Sequence, residues 1–96
     1  MRPAVRLVLF VAIGCGDHGT AVTNRLSRII EQESREICAC KTGRCIIQAK
    51  DAAARAIHAV SVELGEQALR DAWDYAPLRR ENSRLTRVSD LCVAKL

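Results

Sequence analysis

Cys15, Cys38, Cys40, Cys45 and Cys92 are the residues of this chain with the widest chemical range. A cysteine sulfur can be acylated, can ligate a soft metal as thiolate, or can close a disulfide. Five cysteines in 96 residues is a high count, whereas fifteen Lys and Arg against eleven Asp and Glu give an unremarkable +4, so cysteine chemistry is the compositional outlier. Cys38, Cys40, Cys45 and Cys92 together offer the four sulfurs of a tetrahedral Zn site or a Cu(I) site. Their C-x-C-x4-C spacing departs from the paired C-x2-C of common structural zinc sites, which places a metal carrier or sensor second to disulfides in an oxidising compartment. A redox enzyme would carry C-x-x-C near a sheet, and the sequence has no such motif.

A second pattern with chemical meaning is Gly14-Cys15-Gly16-Asp17-His18-Gly19, which spells G-x-G-x-x-G between an apolar run and a helical pattern. Gly14, Gly16 and Gly19 would there form a dinucleotide-binding turn, with the pyrophosphate at a helix N-terminus. The rest of that unit does not follow. Its ribose-binding acid should end a second strand, but Glu36 precedes the only strand-like stretch, Ile37 to Cys40, and what remains is alanine-rich and helical. A nucleotide-binding fragment is therefore the least favoured reading, and no cofactor is expected.

The other titratable residues assemble no catalytic set. His18 falls in an expected tether and His58 in the middle of a helix, each alone, which reads as solvated or edge-of-core histidine. Asp71 and Asp74, with Glu66 nearby, imitate a carboxylate pair without a nucleophile or base to complete it. Arg79, Arg80, Arg84 and Arg87 form a basic stripe that would suit nucleic acid or anionic headgroups. Without Arg2 and Arg6 the balance is only thirteen basic against eleven acidic residues, so the stripe reads as a solvated face with a mild preference for an envelope surface. Aromatic residues for stacking single strands are missing, and no nucleic-acid partner is expected.

The elements that would place these groups begin with the N-terminus. Arg2 and Arg6 precede the apolar run Leu7-Val8-Leu9-Phe10-Val11-Ala12-Ile13, which is a basic n-region and an h-region far shorter than the ~20 residues of a membrane-spanning helix. The stretch Ala12-Ile13-Gly14-Cys15 resembles the lipobox of bacterial lipoproteins. The resemblance implies cleavage before Cys15, diacylation of its sulfur, and anchoring of the mature chain by acyl chains rather than by protein. Gly16 stands where an Asp would imply inner-membrane retention, so the resemblance points to the outer membrane or its periplasmic face. It extends to localisation only, because the mature chain matches no family pattern.

With Cys15 assigned to lipid, Cys38, Cys40, Cys45 and Cys92 remain, an even number in a chain bound for an oxidising compartment, and two disulfides are expected. Pairing Cys38 with Cys40 would close a strained ring. Cys92 should therefore pair with Cys38 or with Cys40, and the other with Cys45.

Periodicity supplies the scaffold. Val22, Leu26, Ile29, Ile30 and Ile37 recur at helical spacing from about Ala21, with Thr20 or Thr23 as N-cap and Arg25, Arg28, Glu31, Gln32, Arg35 and Glu36 on most of the other face. Lys41-Thr42-Gly43-Arg44 reverses the chain, with Thr42 able to cap a second helix. Ile46, Ala49, Ala53, Ala56, Ile57, Val60 and Leu64 carry that helix to Gly65. Gly65-Glu66 then interrupts or kinks it, Trp73 and Tyr75 cover one end of the core, and Pro77 forbids smooth continuation. A last helix from about Leu78 places Leu85, Val88, Cys92 and Leu96 on one face, with Leu91 stranded near the basic stripe.

One small domain fits this length, which excludes a multidomain enzyme, and the composition excludes a disordered tail. The expectation is an all-α fold: a small bundle of three or four short helices stapled by two disulfides, after a cleaved signal peptide. Residues 1–14 form the signal, 15–20 a tether and 21–96 the stapled domain. The expected role is non-enzymatic: a lipid-anchored structural or interaction protein of the bacterial envelope, touching the membrane through Cys15 and an unidentified envelope protein.

Overall fold

A computed structural model describes the backbone of residues 2–96 and the side chains from Thr20 onward. The chain is all-α, in the order α1 (Arg2–Ala39), α2 (Gly43–Leu64), α3 (Glu66–Trp73) and α4 (Ala76–Ala94). The expected signal peptide and most of the expected tether lie outside the residues whose side chains are described. Thr20 and Thr23 lie inside α1 and do not cap its start. Ile37 to Ala39 form its final turn, so the strand-like reading of Ile37 to Cys40 does not hold: Ile37 is buried at the helical spacing set by Val22, Leu26 and Ile30.

Each break between helices has a local cause. Thr42 has extended backbone, and its Oγ1 accepts the Cys45 N–H at 3.2 Å, which satisfies one of the free donors at the start of α2. Gly65 ends α2 at φ 99° and ψ 149°, a conformation that residues with a Cβ rarely adopt, while its N–H still closes on the Ser61 carbonyl at 2.9 Å. The sequence left open whether Gly65 breaks or bends the helix; this torsion separates α2 from α3. Pro77 sits in the first turn of α4, where its missing N–H costs nothing.

Three cross-links define how α4 lies on α1. Ser27 bonds Glu81, Ser34 bonds Ser89, and Cys38 joins Cys92, so both residue numbers rise together and the two helices run parallel. α2 runs the other way, from Cys45 beside Cys40 to Glu63 beside Arg25. The short α3 carries the chain sideways from the end of α2 to the start of α4. Among the described residues α2 and α4 both pack on α1, and their Cα atoms nowhere approach within 8 Å of each other. α1 is thus the spine of the fold.

The core lies toward the α3 end, where Val22, Leu26 and Ile30 of α1 meet Val60, Ala72, Leu78 and Leu85. Val22, Leu26, Val60 and Leu78 are its fully buried side chains. Ala49 and Ala53 are the buried residues of α2 nearer the cysteine end, and their small size lets that helix approach α1 while burying little apolar area per residue. Trp73 packs against the core as expected, but Tyr75 is 53% exposed and does not cover it. Tyr75 occupies the N-cap of α4, where its side chain projects from the turn. The expected inward face of α4 also ends early. Leu78 and Leu85 are buried, whereas Val88, about 60° around the helix from Leu85, lies exposed at the edge of that face, and Leu96 is 58% exposed because α1 terminates at Ala39, next to the Cys38–Cys92 bridge, and leaves the last turn of α4 nothing to pack on.

Candidate functional site

The four cysteines of the described domain gather where α1 ends. Cys38 in the last turn of α1 is bonded to Cys92 in the last turn of α4, with Cα atoms 5.0 Å apart and 54 residues of separation. Cys40, just past the helix, is bonded to Cys45 in the first turn of α2, with Cα atoms 5.5 Å apart and five residues of separation. Of the two pairings left open by the sequence, this is the one in which Cys92 takes Cys38. The helix register makes the choice. Ser27, Ser34 and Cys38 follow one another at steps of seven and four along α1, on the side that faces α4, while Cys40 lies beyond the helix and turns toward α2.

These bridges consume the sulfurs that a tetrathiolate site would need. The four cysteines are paired in two bridges, and among the described residues no group of three or more His, Cys, Asp or Glu is arranged to hold a metal ion. Cys15, Gly14, Gly16, Gly19 and His18, on which the acylation and nucleotide-turn readings rest, lie outside the described side chains.

The remaining candidates are placed apart from one another. His58 is exposed on α2. Asp71 and Asp74 are exposed, and Asp71 accepts a hydrogen bond from the Gln67 amide at 2.9 Å, which is a solvated helix-surface contact and no acid–base pair. Arg79, Arg80, Arg84 and Arg87 are all exposed on α4. Arg79, Arg80 and Arg87 border a shallow hollow floored by Ala76 and Ser83. No helix among the described residues is long and apolar enough to cross a membrane.

Two features escaped the sequence reading. Because α2 and α4 stand apart, a groove of about 240 Å³ opens along α1 between them, bordered by Glu33 and Ile37 of α1, Lys50 of α2, and Asn82, Ser89 and Asp90 of α4. Partial burial raises the pKa of the Glu33 carboxyl above its ordinary value; Lys50 opposes the rise and Glu36 adds to it. The second feature is the buried Ser34, whose hydroxyl accepts a hydrogen bond from the Ser89 hydroxyl at 3.2 Å. No buried side-chain polar atom among the described residues lacks a partner. Helical periodicity marked the apolar positions of α1 and gave no signal for a serine on its α4-facing side. Arg25, placed by spacing on a solvated face, is instead ion-paired with Glu63 across α1 and α2.

Comparisons of this chain with known protein families, with curated proteins and with solved structures return no match.

Proposed function

We propose that this chain is an exported helical protein of the bacterial envelope, anchored through lipid on Cys15, that presents a rigid, protease-resistant surface to an envelope protein partner and catalyses no reaction. The observation that carries this reading is the closure of Cys38, Cys40, Cys45 and Cys92 into two disulfides. Disulfides of this kind persist in oxidising compartments and are rare in a reducing cytosol. A small core that depends on two such staples belongs outside the cytoplasm, and the basic-then-apolar stretch from Arg2 to Ile13 supplies a route there.

Export and Cys15 acylation account together for the use of all five cysteines. The cross-links hold α1, α2 and α4 at the end of the bundle that lies away from the main core, where packing alone is thinnest. What supports a binding role over chemistry is the way the described side chains are spent: the buried positions are apolar apart from Ser34, and His58, Asp71 and Asp74 stand separately in solvent. A rigid scaffold with a varied exterior suits recognition.

The test is cell fractionation of the wild-type chain and Cys15→Ser in a Gram-negative host, with a radiolabelled fatty acid added. The wild type is expected in the membrane fraction carrying label, and Cys15→Ser unlabelled and redistributed. Equal partitioning of both, without label in either, overturns the anchoring.

A further inference from the structure

We infer that the outward face of α4 is a docking surface for anionic phospholipid headgroups, a second membrane contact independent of Cys15. At 100° per residue Arg80, Arg84, Arg87, Leu91 and Lys95 fall within an arc of about 80°, with Val88 just beyond its edge. The stripe runs for about 22 Å along the helix, the fifteen steps from Arg80 to Lys95 at 1.5 Å each. Its arginines are exposed, and none of them has an ion pair among the described residues, whose salt bridges are Arg25 with Glu63 and Arg55 with Asp51.

The acids of α4 are directed elsewhere. Glu81 turns toward α1, where it accepts the Ser27 hydroxyl at 2.5 Å, and Asp90 borders the groove on the opposite flank. The stripe is therefore a run of one sign of charge, and its complement is an extended anionic surface.

Two aliphatic side chains distinguish a membrane from other polyanions. Leu91 is 64% exposed in the middle of the cations, and Val88 is 38% exposed at their border. Aliphatic groups flanked by Lys and Arg on a helix lying flat against a bilayer enter the headgroup boundary while the cations meet phosphates. Single-stranded nucleic acid would call for stacking rings on this face, but Trp73 is packed against the core and Tyr75 precedes the stripe at the helix N-cap. The hollow at Ser83, bordered by Arg79, Arg80 and Arg87, gives a headgroup phosphate a place to sit among three guanidiniums.

The experiment uses the full chain with Cys15→Ser, disulfides intact, so that acylation plays no part and failure of the anchoring proposal leaves this one standing. Sedimentation is measured with vesicles of phosphatidylcholine alone and of phosphatidylcholine mixed with phosphatidylglycerol; the comparison cancels any charge-independent insertion of the N-terminal apolar run. A clear preference for the anionic vesicles is expected. Arg80→Gln/Arg87→Gln should weaken it about 30-fold, from about fivefold for each cation at the surface. Leu91→Ser should weaken binding to the same vesicles about fivefold. Lys41→Gln/Arg44→Gln, which removes the same charge from the junction of α1 and α2, should leave the preference close to that of the parent. All the substituted positions are exposed, and unchanged urea unfolding verifies that the fold is intact. Equal loss in the two charge variants, or no preference for anionic vesicles, overturns the assignment. So does tight binding of single-stranded RNA that Arg80→Gln/Arg87→Gln abolishes while vesicle binding is unaffected.

Discussion

Removing the Cys38–Cys92 bridge should cost more stability than removing the Cys40–Cys45 bridge, about 4 against about 2–3 kcal/mol. In the chain-entropy description a cross-link destabilises the unfolded chain in proportion to the logarithm of the loop it closes. The separation of 54 residues between Cys38 and Cys92 gives about 4 kcal/mol, and the separation of five between Cys40 and Cys45 gives about 2 kcal/mol. Packing shifts these values little for the long bridge, since Cys38 is exposed and Cys92 half-buried. Cys40 is buried, so its truncation adds a packing loss on the order of 1 kcal/mol and narrows the gap. A domain of this size has about 4–11 kcal/mol of stability in all, so losing the long bridge removes a large part of it. Cys38→Ala/Cys92→Ala and Cys40→Ala/Cys45→Ala would be unfolded in urea under non-reducing conditions and by heat. The first should lose about 4 kcal/mol, with a melting temperature lower by about 15–30 °C, and the second about 2–3 kcal/mol. Equal losses, or a greater loss for the short bridge, would refute the argument from loop length and assign the stabilisation to local strain or packing instead.

Three further outcomes follow from the geometry. Gly65→Ala should destabilise by about 1–3 kcal/mol because φ 99° is unfavourable for any residue with a Cβ, while Gly43→Ala, which has open space around the new methyl and lies in the first turn of α2, should stabilise by about 0.4–1 kcal/mol; chemical denaturation measures both. Leu26→Ala, which empties a fully buried position on the spine helix, should cost about 2–5 kcal/mol in the same assay. For Glu33 the sign runs opposite to a salt-bridged acid: its folded pKa is raised, so the folded state holds the proton more tightly and ionisation above that pKa is a cost to folding. Glu33→Gln should therefore be more stable than wild type at neutral pH, with the advantage fading as pH falls through the raised folded pKa toward the ordinary carboxylate value and gone below it; an advantage that grows on acidification would contradict the burial argument.

The all-α class, the apolar face of α1 and the extent of α2 were legible because they rest on 3.6-residue periodicity and on a Thr cap and a Gly stop, which act locally. That two disulfides form could be counted from the cysteines. Which sulfur takes Cys92 could not, since it depends on the parallel register of α4 on α1, and that register is fixed by contacts such as Ser34 with Ser89 that have no sequence signature. Tyr75 and Leu96 were expected inside because they are apolar at plausible spacing; both protrude because helix ends, one at an N-cap and one past the end of its neighbour, offer no partner to pack against. The gap between α2 and α4 is likewise a consequence of the sideways path of α3, and it leaves Glu33 in a groove rather than on an open surface. The basic stripe, with Leu91 near it, was visible from helical spacing alone. Its freedom from ion pairs became visible only with the inward turn of Glu81.

The exported, acylated and doubly stapled state is tested most directly by intact-mass spectrometry of the protein taken from native membranes, before and after reduction. The account predicts a chain beginning at Cys15, carrying added acyl mass, that gains four hydrogens on reduction as the two disulfides open. A full-length chain with no added mass and no gain on reduction would contradict it.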